Sequence, residues 1–257
     1  MAIWPMRVIS RRVRRMWTGT FSIVARCPVA ESVGVAVATA IPGAGAICPF
    51  GSPHGAISTQ SFNNYYFGVD GLRYLGEGLP APAVGEALLA SDEDRELRQL
   101  LLVDNTGRSW AFTGNRCVGE CGHMIGEGYA VAGNMLVSRE VLKAMARCFE
   151  DTAGAELTLA ERLLQVLEAG QAAGGDKRGK QSAALKVYSS QSLIPLCDLR
   201  VDEHATPVAE LRRVYEVAKR ELLPFMAAMP TRTALAGNMS ESLRELLSMS
   251  PEERVPR

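Results

Sequence analysis

The sequence is poor in the residues and motifs that most enzyme chemistry requires. It has only three histidines in 257 residues, and His54, His123 and His204 are scattered, which argues against a histidine-rich metal centre or a Ser-His-Asp hydrolase. No G-x-S-x-G elbow, H-E-x-x-H pair, Walker loop or dinucleotide fingerprint occurs; Gly126-Glu127-Gly128 has no strand–helix context and reads as a turn. No lysine precedes Lys143. Charge of one sign is also missing. With 28 basic and 28 acidic residues the formal net charge is zero, so no global field gathers nucleic acid. Long apolar runs are absent, since Pro42, Gly43 and Gly45 break the stretch from Val33 to Pro49, and no membrane span is expected. Aromatics are 6% of the chain against 24 glycines, so close backbone approach must supply much of the core.

What is present is ordinary globular usage, with 47% hydrophobic and 22% charged residues. The length suits one large domain or two small ones. Six cysteines, at 27, 48, 117, 121, 148 and 197, lie mostly among apolar neighbours, which points to reduced thiols in a cytoplasmic protein. Cys117, Cys121 and His123 form a C-x3-C-x-H that offers three zinc ligands, but no further ligand pair follows at usable spacing, so neither a metal nor a cofactor is expected. Residues 1–19 carry five arginines and no acid. They read as a basic leader: either a propeptide or the product of a start assigned too far upstream.

Thr20–Arg26 alternates like a strand and pairs with Val33–Thr39 across a turn. Gly45–Pro49 and Gly55–Gln60 read as two more strands. Asp70–Gly76 and Pro82–Ala90 carry helical spacing. Asn105-Thr106-Gly107-Arg108 is a hairpin turn between strands Gln99–Asp104 and Ser109–Thr113. The Gly-rich stretch 114–134 reads as loop. A helix capped by Ser138, a second over Leu157–Ala173, strands at Ser182–Tyr188 and Leu199–Asp202, and a helix over Pro207–Leu222 complete a domain over 20–223, with 224–257 as a peripheral tail. Runs of strands, then helices, then strands predict a layered α+β fold rather than βαβ units.

One catalytic constellation needs no histidine. A threonine that opens the first strand is a nucleophile if it is also the chain's first residue, because its α-amine, with a pKa of about 7.7–8.0, accepts the hydroxyl proton. Gly19-Thr20 meets that requirement, glycine leaving room for an N-to-O acyl shift.

The runs Thr20-Phe21-Ser22-Ile23-Val24-Ala25-Arg26, Gly34–Thr39, Ala56-Ile57-Ser58-Thr59-Gln60, Gly126–Leu136, Gly174-Gly175-Asp176-Lys177-Arg178-Gly179-Lys180-Gln181-Ser182 and Asp198–Asp202 resemble, in order, the DUF1028 family, a group assigned to the N-terminal nucleophile (Ntn) hydrolase superfamily. The resemblance implies a four-layer αββα sandwich of two antiparallel sheets and a hydrolase that cleaves a C–N bond of a small amide or peptide-like substrate. Members of that family usually begin Met-Thr-Phe-Ser, whereas nineteen residues precede Thr20 here, so the catalytic reading requires a downstream start or removal of the leader to uncover the threonine. In that frame Thr20 is the nucleophile and Asn134 an oxyanion donor. Thr59 and Gln60 stand near the substrate, and Asp176 and Ser182 polarise the amine. Arg26 and Arg178 would hold a substrate carboxylate. The partner is a small molecule, with neither nucleic acid nor membrane involved, and association into homo-oligomers is expected. The alternatives are a non-catalytic scaffold that never frees Thr20, and the zinc reading.

Overall fold

The computed structural model describes residues 19–254; most of the arginine-rich leader, residues 1–18, lies outside them, as do residues 255–257. Thr20–Cys27 (β1) and Ser32–Thr39 (β2) form the expected hairpin, with Thr20 opposite Thr39 and Cys27 opposite Ser32. Gly45–Pro49 is not a strand. Gly43 turns the chain in the left-handed region (φ 68°), Ala44–Ile47 (α1) makes one helical turn, and the strand begins later, at Pro49–Ser52 (β3). The amide of Ala44 donates to Ser182 Oγ at 3.0 Å, which anchors that turn.

Gly55–Ser61 (β4) follows, then Tyr65–Gly76 (α2), which starts earlier than its apolar spacing indicates because the Asn64 side chain caps it by accepting from the Tyr66 amide. Next come Ala81–Ala90 (α3), Arg98–Asp104 (β5) and Ser109–Thr113 (β6). The stretch 114–134, read as loop, instead holds a hairpin of Glu120–Gly126 (β7) and Tyr129–Leu136 (β8). Two of its glycines serve packing: a Cβ on Gly126 would lie 2.1 Å from the Tyr129 ring, and one on Gly133 would meet the Thr20 carbonyl at 3.0 Å. Glu140–Asp151 (α4), Leu159–Ala172 (α5), Ser182–Ser189 (β9), Pro195–Val201 (β10) and Pro207–Glu221 (α6) complete the body. Leu223–Ala228 (α7) and Glu241–Ser248 (α8) follow, and Arg254 ties their end back to Glu221 of α6 at 2.9 Å.

The fold is mixed α+β, with two antiparallel sheets and eight α-helices among the described residues. One sheet has six strands in the order β10-β9-β2-β1-β8-β7; the other has four, β3-β4-β5-β6. Strand alternation divides the core. Phe21, Ile23 and Ala25 of β1 pack with α4, α5 and α6, while Val24 meets Leu101 and Val103 of the smaller sheet. Ile57, Leu100 and Leu102 turn the other way, onto α2 and α3. Because β5 is covered on both faces, Leu100, Leu101, Leu102 and Val103 are all fully buried, which is why the strand reads as one continuous apolar run. No helix among the described residues is long and apolar enough to cross a membrane.

Candidate functional site

At one end of the six-stranded sheet, strand register places four polar residues side by side. Asn134 of β8 pairs with Thr20 of β1, Thr20 with Thr39 of β2, and Thr39 with Ser182 of β9. All four lie on the face turned toward the other sheet and all are buried. Neighbouring strands are about 4.8 Å apart, so the row is a continuous polar strip at the edge of an otherwise aliphatic layer.

Gly19 closes this strip. Its carbonyl accepts from Arg178 Nη2 at 2.8 Å and from the Thr39 hydroxyl, which in turn accepts from Thr20 Oγ at 3.2 Å. Two donors, one of them cationic, thus polarise the carbonyl whose carbon is bonded to the Thr20 nitrogen. The space around Gly19 admits no side chain: a Cβ would lie 2.6 Å from Asp176 Oδ2, 2.7 Å from Oδ1 and 2.7 Å from Met135 Cβ. Met135 itself has a positive φ of 49°, an uncommon conformation for a non-glycine residue. Its backbone bonds, from its amide to the Val118 carbonyl and from the Lys177 amide to its own carbonyl, hold it there.

Asp176 has a buried carboxylate. It accepts from Arg178 Nη2 at 2.6 Å, from the Arg178 amide at 2.9 Å and from the Ala40 amide at 3.2 Å. The carboxylate is buried while the guanidinium is partly exposed, and backbone donors brace the buried end of the pair. Arg178 is therefore engaged with Asp176 and Gly19 rather than held out toward a carboxylate ligand. Ser182 Oγ is also occupied: it donates to the Ile41 carbonyl at 2.6 Å and accepts from Ala44. It belongs to the polar row but does not pair with Asp176.

Behind the row, a network joins the two sheets. Gln60 Nε2 and Asn134 Nδ2 both donate to Gln99 Oε1, at 2.7 and 2.9 Å. Gln99 Nε2 donates to Thr113 Oγ1, the Gly122 carbonyl and the Gly133 carbonyl. Ser22 Oγ donates to Gln60 Oε1 at 2.6 Å. Asn134 thus stands beside Thr20 and Gln60 beside Ser22, with their amide nitrogens committed to Gln99. Two other expected residues lie elsewhere. Thr59 points to the opposite face of β4, donating to the Asn64 carbonyl at 3.2 Å. Arg26 holds the Asn105 carbonyl at 2.6 Å, at the far end of β1 and roughly 20 Å from Thr20 at 3.3 Å per residue.

Competing nucleophiles and ligands are otherwise disposed. All six cysteines are free. Burial pushes the Cys48 thiol up to about 12 and raises Cys117, Cys121 and Cys148, so these are not thiolates near neutrality. Cys117 Sγ contacts the Arg98 carbonyl and Cys121 Sγ the Cys117 carbonyl. His123, its pKa lowered by burial, bonds through Nδ1 to Thr113 Oγ1 at 2.9 Å. Among the described residues no three His, Cys, Asp or Glu side chains gather as a metal would need. An apolar groove of about 580 Å³ lies against α6, lined by Leu199, Val214, Phe225 and Leu247; it is on the helix side of the sheet, away from Thr20.

The strand that begins at Thr20 also begins the match to known sequences. The sequence model of a family of unknown function, DUF1028, covers residues 20–211. This chain belongs to the DUF1028 family. A solved DUF1028 structure, that of a Silicibacter pomeroyi protein, is 27% identical and superposes with a TM-score of 0.77 over 86% of this chain and all of its own. Comparison with curated proteins finds no match. The family match thus opens at Thr20, so the polar row and its Gly-Gly-Asp-x-Arg loop fall within the DUF1028 region and Gly19 falls just before it.

Thr39 and Gln99 are the residues of this site that the sequence reading did not nominate. Each carries a legible signal, being a polar residue at an inward position of a strand whose inward neighbours are aliphatic.

Proposed function

We propose that this DUF1028 protein is an N-terminal-threonine hydrolase built on a four-layer αββα sandwich of the Ntn type, acting on a C–N bond of a small amide or peptide-like substrate. The observation that carries the reading is the hold on the Gly19 carbonyl by Arg178 and Thr39, with Thr20 Oγ hydrogen-bonded to the same Thr39 hydroxyl. In the maturation step Thr20 Oγ attacks the Gly19 carbonyl carbon. The Gly19–Thr20 C–N bond breaks as an ester forms, and the hydroxyl proton passes to the departing amine. Water then hydrolyses the ester, leaving a Gly19 carboxylate and a free Thr20 amine.

That amine is the base for the second reaction. It takes the Oγ proton as Thr20 attacks the substrate acyl carbon and returns it to the leaving nitrogen. In this reading the Asp176 carboxylate, which crowds Gly19, stabilises the ammonium form. The competing reading is a non-catalytic scaffold, favoured by the full burial of Thr20 and by the commitment of Asn134 and Gln60 to Gln99.

Intact-mass measurement and N-terminal sequencing of the purified full chain separate the two. A chain that begins at Thr20, with Thr20→Ala retaining residues 1–19, supports the hydrolase. A wild-type chain that keeps residues 1–19, or a Thr20→Ala chain cut at the same bond, overturns it.

A further inference from the structure

The closed surroundings of Gly19 also bear on what the Thr20 site accepts. We infer that the acyl pocket is specific for acyl groups with no L side chain on the α-carbon, so that glycyl amides are substrates and L-alanyl amides are not. The inference rests on the proposed hydrolase reading, in which the ester formed on Thr20 Oγ during maturation has a glycyl acyl group.

Three atoms define the wall. The position an L-Cβ would occupy is 2.6 and 2.7 Å from the two Asp176 oxygens and 2.7 Å from Met135 Cβ. Carbon–carbon contacts are optimal near 3.5–4.0 Å and a Cβ does not approach an oxygen this closely either, so a methyl overlaps all three atoms. None of the three yields easily. The carboxylate is fixed by Arg178 and by the amides of Arg178 and Ala40. Met135 Cβ moves only with a backbone that is bonded on both sides, to Val118 and Lys177. The same wall that forces glycine at position 19 then excludes a branched α-carbon from any acyl group whose carbonyl takes the Arg178 and Thr39 donors. Asp176 and Met135 are its specificity-determining residues.

In the reaction, the Thr20 Oγ–acyl bond forms and the glycyl C–N bond breaks. The hydroxyl proton leaves on the amine product, and water releases glycine from the ester. The test uses the full chain, matured by its own cleavage, with glycyl and L-alanyl 4-nitroanilides as probes. Glycyl anilide should be hydrolysed with a kcat/KM at least 100-fold above the alanyl compound. In parallel, a full-length Gly19→Ala chain, with wild-type circular dichroism, should mature at least 100-fold more slowly. The inference is overturned by alanyl turnover within threefold of glycyl, by no turnover of either, or by wild-type maturation of Gly19→Ala. Anilide hydrolysis by Thr20→Ala would instead remove the underlying hydrolase reading.

Discussion

Replacing Gln99 by leucine tests whether the two sheets are joined by a polar network rather than by apolar packing alone. The substitution roughly conserves volume but removes both ends of the side-chain amide. Gln60 Nε2 and Asn134 Nδ2 lose the oxygen that both now donate to, and the Gly133 carbonyl loses its side-chain donor. Each buried polar group left without a partner costs about 1–3 kcal/mol. Thr113 and Gly122 lie nearer solvent, where water takes the place of the lost Gln99 donor at little cost. Taking about 1 kcal/mol for each of the three deep groups gives roughly 3 kcal/mol of destabilisation. At a urea m-value of about 3 kcal/mol/M, the upper end for small proteins, the midpoint should fall by about 1 M with the slope unchanged. Urea titration followed by far-ultraviolet circular dichroism reads this directly. A midpoint within about 0.2 M of wild type would refute the reasoning, because it would mean that Gln60 and Asn134 find other partners at no cost.

Two further outcomes follow from the same geometry. Thr39→Val removes the hydroxyl between Thr20 Oγ and the Gly19 carbonyl and should slow cleavage before Thr20 at least tenfold, while Thr39→Ser retains it; a time course by mass spectrometry checks both, and an unimpaired valine variant removes Thr39 from the step. The acid limb of stability should depend on Arg98. Its hydrogen bond is the main cause that holds Asp92 below the usual carboxylate range, and Asp104 is also held low because bonds from Thr106, Ala81 and Arg108 outweigh its burial. Depressed carboxylates contribute stability above their unfolded pKa of about 3.9 and lose it as pH falls through the folded values. Stability should therefore hold from neutral pH to about 5 and decline below about 4, more shallowly in Arg98→Ala; identical urea midpoint-versus-pH curves for the two proteins would contradict this.

How much of the fold is legible in the sequence depends on the kind of signal each element carries. β1, β2, β5 and β6 are legible from alternation and one turn motif, and α4, α5 and α6 from helical spacing. The β7–β8 hairpin is not, because strand glycines that permit close packing have the composition of loop glycines; only the partner atoms, the Tyr129 ring and the Thr20 carbonyl, distinguish them. The single turn of α1 depends on Ser182, 138 residues later in the chain, and no local pattern announces it. At the site, Thr20 is legible as the opening of β1, whereas the place of Asn134 depends on the unread strand β8 and that of Asp176 on the loop between α5 and β9. Thr39 was within reach: a turn from Cys27 to Ser32 sets Thr20 against Thr39 by counting back along both strands. Alternation likewise separates Thr59 from Gln60. Arg26 lies at the other end of the same extended strand, where it holds the Asn105 carbonyl.

The contact between Arg178 and Gly19 spans 159 residues, and this sets an order of events during synthesis. At about 5–20 residues per second, roughly 8–30 s separate the emergence of Gly19 from that of the arginine that holds its carbonyl. β8 emerges only about two-thirds of the way through that interval, Asp176 at its very end and β9 after it, so for most of the time the first strand has only its hairpin partner. The Gly19–Thr20 peptide bond is therefore an ordinary one on the ribosome and acquires its polarised surroundings only when the sheet is complete from β9 to β8. Any chemistry at that bond is timed by the finished architecture, and a chain truncated before the Asp176–Arg178 loop would carry the same first twenty residues without the means to act on them.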